Sequence, residues 1–267
     1  MSSMLYNHRF LIGRRLVQIG LLILFFGGNY FGWKILTGNY SSATFLGEVN
    51  LSDPFALLQV LFSGFIVATD ALIGGLIILV VYSLIVGRAF CSWVCPMNIV
   101  VDLAGWINKK VGFSKPKIDF GRIAKLRYYV FALILLLSAI LGFAVFEMIS
   151  PIGMLHRNIV FGFGTGIIAV VAIFLFDMVA RPLSFCHHIC PLGAFYSLVS
   201  RYRMLKVFHK VEACTKCNKC FAVCPEKQVL SIVGKRSGSI VSGECTNCGR
   251  CIEVCDDQAL KFSILKK

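Results

Sequence analysis

Charge is scarce in this sequence. Asp, Glu, Lys and Arg make up only 15% of its 267 residues, where a soluble domain carries about 25%. Hydrophobic residues make up 57% and the mean hydropathy is +0.78. Most of the chain is therefore expected to be solvated by lipid. Acid is scarcer than base, with 13 acidic residues against 27 basic and a formal net charge of +14. Such a charge can mark nucleic-acid binding, but here the basic residues stand beside apolar runs and no base-reading motif accompanies them. Other absences narrow the chemistry. No C-x-x-C-H is present, which excludes a covalent c-type haem. The five histidines (His8, His156, His187, His188, His209) all avoid the centres of the apolar runs, which argues against a bis-histidine haem in the bilayer. No Rossmann or P-loop glycine signature supports use of nicotinamide or ATP.

Four apolar stretches approach the ~20 residues that a spanning helix needs: roughly 16–36, 64–86, 128–148 and 159–180. The first is too long for a cleaved signal peptide and has no small-residue cleavage site. Its Gly27 and Gly28 suit close helix packing. Every basic residue except Lys34 and Arg157 falls before the first stretch, between the second and third, or after the fourth. The positive-inside rule then makes both termini and the middle loop cytoplasmic. The loops at about 37–63 and 149–158 face the periplasm, which places the protein in a bacterial inner membrane.

No cysteine of the twelve lies in a periplasmic loop. Disulfides are rare in the reducing compartment, so metal or redox chemistry is the expected use. Cys214, Cys217, Cys220 and Cys224 follow the spacing C-x2-C-x2-C-x3-C-P, and Cys245, Cys248, Cys251 and Cys255 repeat it 31 residues on. In that pattern three thiolates wrap one [4Fe–4S] cluster and the fourth serves the other. Cluster one is thus expected on Cys214, Cys217, Cys220 and Cys255, and cluster two on Cys245, Cys248, Cys251 and Cys224. Structural zinc prefers paired C-x2-C knuckles. The second run ends in Asp256 where proline is usual, and an acid so close should disfavour the added electron.

Two further pairs, Cys91/Cys95 in FCSWVCP and Cys186/Cys190 in FCHHICP, stand 95 residues apart. Each ends an apolar hairpin, follows a basic residue (Arg88, Arg181) and precedes an amphipathic segment. A tandem two-helix repeat is expected. Positions i and i+4 share a helix face, and Pro96 and Pro191 should bend or end the element. The four thiols are candidates for a further iron–sulfur site, for dithiol–disulfide cycling, or for packing alone. His187 and His188 are candidate hydrogen-bond donors around that site.

The expected fold is an α-helical integral membrane protein. Four transmembrane helices occupy 1–205, and a small α+β two-cluster ferredoxin domain of the bacterial type occupies 206–267. The motifs FCSWVCPMN and FCHHICPLG, the stretch LTGNYSS at 36–42 and the double ferredoxin tail together resemble the NapH family, the membrane component of the ferredoxin-type quinol dehydrogenase serving periplasmic nitrate reductase. The resemblance covers nearly the whole chain. It implies oxidation of menaquinol or ubiquinol, with electrons passing to a periplasmic iron–sulfur partner of the NapG type and on to the reductase. The paired motifs are shared with relatives in nitrous oxide reductase activation and cytochrome oxidase assembly, so a membrane-tethered reductant for metalloenzyme maturation is the alternative. The lack of a large extra domain favours the NapH type.

Quinol oxidation also releases protons, and ionisable groups close to a membrane are expensive and often functional. Asp70 and Glu147 are the candidate acceptors, with Glu48, Asp53 and His156 in the loops. Arg157 is a potential partner for one of these acids. Asp53 with Pro54 also reads as a helix cap, and Asp177 as an ion-pair partner of Arg181.

Overall fold

The computed structural model describes residues 8–112, 125–162, 164–179 and 184–264. Arg181 and the basic residues Lys115, Lys117 and Arg122 lie outside them. The chain divides into two compact units, one of Gln18–Val80 with Cys95–Phe195, the other of Met1–Val17, Val81–Val94 and Tyr196–Lys267.

Two helices are long and apolar enough to cross a membrane: α1 (Arg9–Tyr30), and Thr69–Val86, which is α3 (Thr69–Val80) continued as a π-helical turn over Val81–Val86. The third and fourth expected spans are not continuous. Helix α5 (Leu126–Leu141) stops at Gly142, whose left-handed φ of 71° caps it at little cost for a residue without Cβ. The short helix α6 (Val145–Ile149) follows, its first N–H groups satisfied by Ser138 Oγ at 3.3 Å and Gln59 Oε1 at 2.8 Å. The expected loop at 149–158 is instead mostly helix α7 (Pro151–Phe161). Ser150 Oγ accepts from Gly153 N and Pro151 sits in the first turn, a standard helix start. Helix α8 (Gly166–Val179) is the shorter, apolar fourth element.

The loop at 37–63 is also ordered. Strands β1 (Leu36–Gly38), β2 (Ser42–Phe45) and β3 (Val49–Ser52) form an antiparallel meander, followed by α2 (Pro54–Phe62). Asp53 caps α2 by accepting from Phe55 N, with Pro54 beside it. This sheet, rather than another helix, is what Gly28 of α1 approaches, while a Cβ on Gly27 would meet the Trp33 ring at 2.2 Å. A Cβ on Gly28 would stand 1.9 Å from the Leu36 carbonyl oxygen, and one on Gly74 of α3 would stand 1.8 Å from that of Asn50. Behind it Phe55 packs on Phe131, Phe146 and Phe195 at 5.4–5.7 Å between ring centroids, and Phe55 is fully buried.

In the other unit, β5 (Gly238–Ser239), β4 (Leu205–His209) and β6 (Leu260–Ile264) form an antiparallel sheet in that order. Its core is Val207, Val229, Leu230, Val233, Ile240, Ile252 and Leu260, into which Cys220 and Cys251 are packed.

Candidate iron–sulfur and membrane-edge sites

The two ferredoxin runs fold alike. Lys216 and Asn218 in the first run have φ of 58°, and the matching Asn247 and Gly249 in the second have 49° and 75°. Left-handed residues on either side of the second cysteine reverse the loop, and such reversals turn backbone N–H groups towards an anion. Each loop then enters a short helix, α10 (Lys219–Val223) or α11 (Arg250–Glu253), that carries its third cysteine.

A cavity of about 280 Å³ is lined by Cys214, Cys217, Cys220 and Cys255, with Lys216 and Lys235 at its walls. The other four tail cysteines lie within electrostatic reach of one another, Cys251 facing Cys248, Cys245 and Cys224, and Cys220 beyond them. Among the described residues no three His, Cys, Asp or Glu side chains converge closely enough to hold a single metal ion. Zinc requires thiolate sulfurs about 2.3 Å from one point, whereas a cubane takes its thiolates at four separate corners. Four cysteines around one cavity fit the second demand. Burial raises the Cys251 thiol well above its ordinary range and pushes up Cys220, Cys224 and Cys245 as well, so iron binding there must release protons. None of the twelve cysteines is in a disulfide.

Asp256 does not stand unopposed beside the first loop. Lys219 Nζ lies 2.5 Å from its carboxylate in an exposed pair, which offsets the charge expected to disfavour reduction. Asp257 Oδ2 accepts from both the N–H and the hydroxyl of Thr215, at 3.2 and 2.6 Å, and so ties the end of the second run to the start of the first.

Both C-x3-C-P motifs form π-helical turns, Phe90–Val94 and Phe185–Ile189, rather than the α-helix that the i, i+4 spacing implied. In the second, Cys190 N donates to the Phe185 carbonyl five residues back. Such turns are rare and recur at functional sites. The prolines end the turns and open new helices: Pro96 caps α4 (Met97–Val111) and Pro191 begins α9 (Pro191–Val199). These two helices are the expected amphipathic segments. Cys95 is 6% exposed, while Cys91, Cys186 and Cys190 are half-buried. Cys91 belongs to the unit of the ferredoxin tail, and Cys95, Cys186 and Cys190 to the other.

Buried polar groups pin each turn. At the second, Arg127 Nη1 donates to the His187 carbonyl at 2.9 Å and Asp177 Oδ1 accepts from Phe185 N at 2.9 Å. Asp177 thereby has a structural task besides any pairing with Arg181, which lies outside the described residues. At the first, Arg88 Nη1 donates to Glu226 Oε1 at 2.9 Å and to the Glu244 carbonyl at 3.3 Å, and its side chain also bonds Cys91. Ser92 Oγ donates to the Thr246 carbonyl at 2.7 Å and Trp93 Nε1 to that of Asn247 at 3.0 Å. Asn247 Nδ2 returns a bond to the Val86 carbonyl at 2.9 Å. The loop holding Cys245 is thus bonded along the turn holding Cys91. Burial alone would lower the pKa of Arg88, but Cys91 and Glu226 more than reverse this and raise it, so the guanidinium stays charged. Sequence reasoning counted Arg88 as a cytoplasmic charge that introduces the first motif, not as the partner of Glu226. The acidic Glu226 directly after Cys224-Pro225 was the available hint.

The proton candidates separate. Asp70 is exposed in the first turn of α3, where a carboxylate favours the helix dipole. Glu147, in α6, bonds Ser41 and feels the charge of Arg157, which also donates to the Glu147 carbonyl at 3.5 Å. His156 is 1% exposed.

A family profile described as a 4Fe-4S binding domain matches the chain twice, at residues 67–114 and 163–210, and one described as a 4Fe-4S dicluster domain matches 206–256. The ferredoxin-type protein NapH of Escherichia coli K12 is 41% identical over 84% of this chain and 77% of its own length. NapH of Haemophilus influenzae is 40% identical over 88% and 82%. The methylamine utilization ferredoxin-type protein MauN of Paracoccus denitrificans is 39% identical over 89% and 84%. No solved structure matches. With domains of this kind and identities of this extent, the chain belongs to the family of ferredoxin-type 4Fe–4S proteins that includes NapH and MauN.

Proposed function

We propose that the chain is a membrane electron-transfer subunit of a quinol dehydrogenase. It takes electrons from menaquinol or ubiquinol and sends them through two [4Fe–4S] clusters towards a periplasmic nitrate reductase by way of a NapG-type iron–sulfur partner. The observation that carries this reading is the identity to NapH, 41% and 40% over 84% and 88% of the chain, and the two-fold match of the 4Fe-4S profile across both C-x3-C-P motifs supports it. Cys214, Cys217, Cys220 and Cys255 hold one cluster, and Cys245, Cys248, Cys251 and Cys224 the other. Each cluster supplies reversible one-electron redox chemistry.

The membrane region, 1–205, spans the inner membrane four times as a tandem repeat, using the shorter apolar helices α5 and α8 beside the two long ones. Residues 206–267 form the ferredoxin domain on the cytoplasmic side. Asp70 and Glu147 remain proposed proton acceptors, and Glu147 is the better placed because it is half-buried beside Arg157.

Cys91, Cys95, Cys186 and Cys190 are proposed to serve electron entry as one functional unit. Losses within such a unit are strongly non-additive. With a quinol as sole reductant, Cys91→Ala, Cys186→Ala and the double variant should therefore show nearly equal loss of reduction of the tail clusters, followed by spin resonance. Wild-type rates in the double variant would reduce these cysteines to packing. The MauN identity, 39% against 41% and 40% for NapH, supports a second reading in which the same electron transfer serves methylamine utilization. A deletion strain that keeps nitrate respiration but loses growth on methylamine would select it.

A further inference from the structure

The stretch LTGNYSS has no place in the electron path, yet it carries a buried polar group to an unusual neighbour. Tyr40 sits in the turn between β1 and β2. Asn39 shapes that turn, its Oδ1 accepting from Ser41 N and Ser42 N at 2.8 and 2.9 Å. The Tyr40 ring meets Phe25 of α1 at 4.9 Å and His156 of α7 at 5.5 Å, and Phe25 meets His156 edge-on at 5.2 Å. All three residues belong to the unit of Gln18–Val80 and Cys95–Phe195.

Tyr40 Oη and both ring nitrogens of His156 are buried, and none has a hydrogen-bond partner among the described residues. A phenol donates and accepts, and an imidazole offers two sites. Each buried polar atom left unmatched forgoes the hydrogen bond that water would give it. Three together, beside the Phe25 ring, are groups that a bound molecule with a polar oxygen would satisfy. Burial, with Arg157 adding to it, pushes the pKa of His156 down to about 4. The imidazole is therefore neutral at pH 7 and keeps a nitrogen free to accept.

The surroundings suit a redox substrate that carries protons. On one side Ser41, next to Tyr40, bonds the Glu147 side chain, and Arg157 follows His156. On the other side Gln18, seven residues before Phe25 on α1 and so about 10 Å along its axis, donates to the Cys95 carbonyl at 3.3 Å and to Asn98 Oδ1 at 3.4 Å. Tyr30, Phe31 and Trp33 are exposed at the end of α1, as aromatic residues are where a membrane meets water.

We propose that Tyr40 and His156 form the headgroup site for a hydroquinone. One ring hydroxyl donates to the imidazole, its oxygen accepts from the Tyr40 hydroxyl, and Phe25 packs on the ring. This rests on the quinol reading above and adds a place for the substrate.

The test is anaerobic calorimetric titration of the purified, cluster-loaded protein, its clusters reduced beforehand with dithionite, in detergent with decylubiquinol and, in parallel, menadiol. His156→Phe keeps an aromatic ring but removes both nitrogens, and Tyr40→Phe removes only the hydroxyl. Losing one buried hydrogen bond should raise Kd about tenfold in Tyr40→Phe, and His156→Phe should lose at least as much. Iron content and cluster spin-resonance signals should stay at wild-type levels in both, which separates lost binding from lost folding. If His156→Phe does not fold, Tyr40→Phe decides alone. Wild-type binding with Tyr40→Phe unchanged would overturn the site and leave the quinol reading standing. If the wild type binds neither quinol, both fall.

Discussion

A thiolate that holds iron must be reachable by the assembling cluster and relieved of its proton, and the tail cysteines meet these demands unequally. Cys217 is exposed, whereas Cys220 and Cys251 are buried in the core. Burial raises the thiols of Cys220 and Cys251. Replacing Cys217 should therefore cost one cluster without disturbing the packing beneath it. We expect Cys217→Ala, purified without oxygen, to fall from about eight iron atoms per chain towards about four. The spin-resonance signal of the cluster on Cys245, Cys248, Cys251 and Cys224 should persist. Equal loss of both signals would show that the two ligand sets are not separable. Stoichiometric zinc in place of iron in the wild type would overturn the cluster assignment.

At the scale of elements, the turn at Phe90–Val94 is bonded to the loop at 242–247 through buried Ser92 and half-buried Trp93, with buried Arg88 just before it. The Arg88–Glu226 pair has side-chain exposures of 0% and 3%. Removing one partner of such a pair typically costs about 3–5 kcal/mol, because the other charge stays buried without compensation. Arg88→Met should therefore lower the thermal midpoint sharply in detergent. Adding Glu226→Gln should recover part of the loss, since it removes the stranded charge. A double variant less stable than Arg88→Met would show that Glu226 is held by its other bonds, such as that from Gln228, and is not stranded when Arg88 is lost.

For the whole molecule, the distribution of basic residues carries the topology. A reporter active only in the cytoplasm, fused after Lys267, should work, and one active only in the periplasm should not. A reporter at Glu48, in the turn between β2 and β3, should behave the opposite way. Periplasmic activity at the C terminus would invert the proposed electron path. The breaks after α5 and before α8 leave two apolar helices of 16 and 14 residues, about 24 and 21 Å long at 1.5 Å per residue. That is less than the ~30 Å of hydrocarbon in a bilayer, so neither helix alone matches the length of a straight span.

The sequence alone determined whatever depends on near neighbours. The C-x2-C-x2-C runs place their own thiolates through the loop between them, and their left-handed residues recur at matching positions. Asp53-Pro54 starts a helix wherever the chain then goes, and apolar runs report lipid whatever their exact ends. The family, too, was legible, because its motifs are local. Tertiary structure decided the rest. The π-turns at the membrane-edge motifs could not be told from α-helix by an i, i+4 spacing that both accommodate. A meander replaced an open loop because β1, β2 and β3 pair with one another and Gly28 of α1 and Gly74 of α3 let them approach. Arg88 reads as one more surface cation until Glu226, 138 residues later, is folded against it. Tyr40 and His156 are ordinary loop residues until α7 forms where a loop was expected and sets an imidazole against the sheet. Contacts between residues so far apart are selected by packing, which depends on the whole chain closing around them at once.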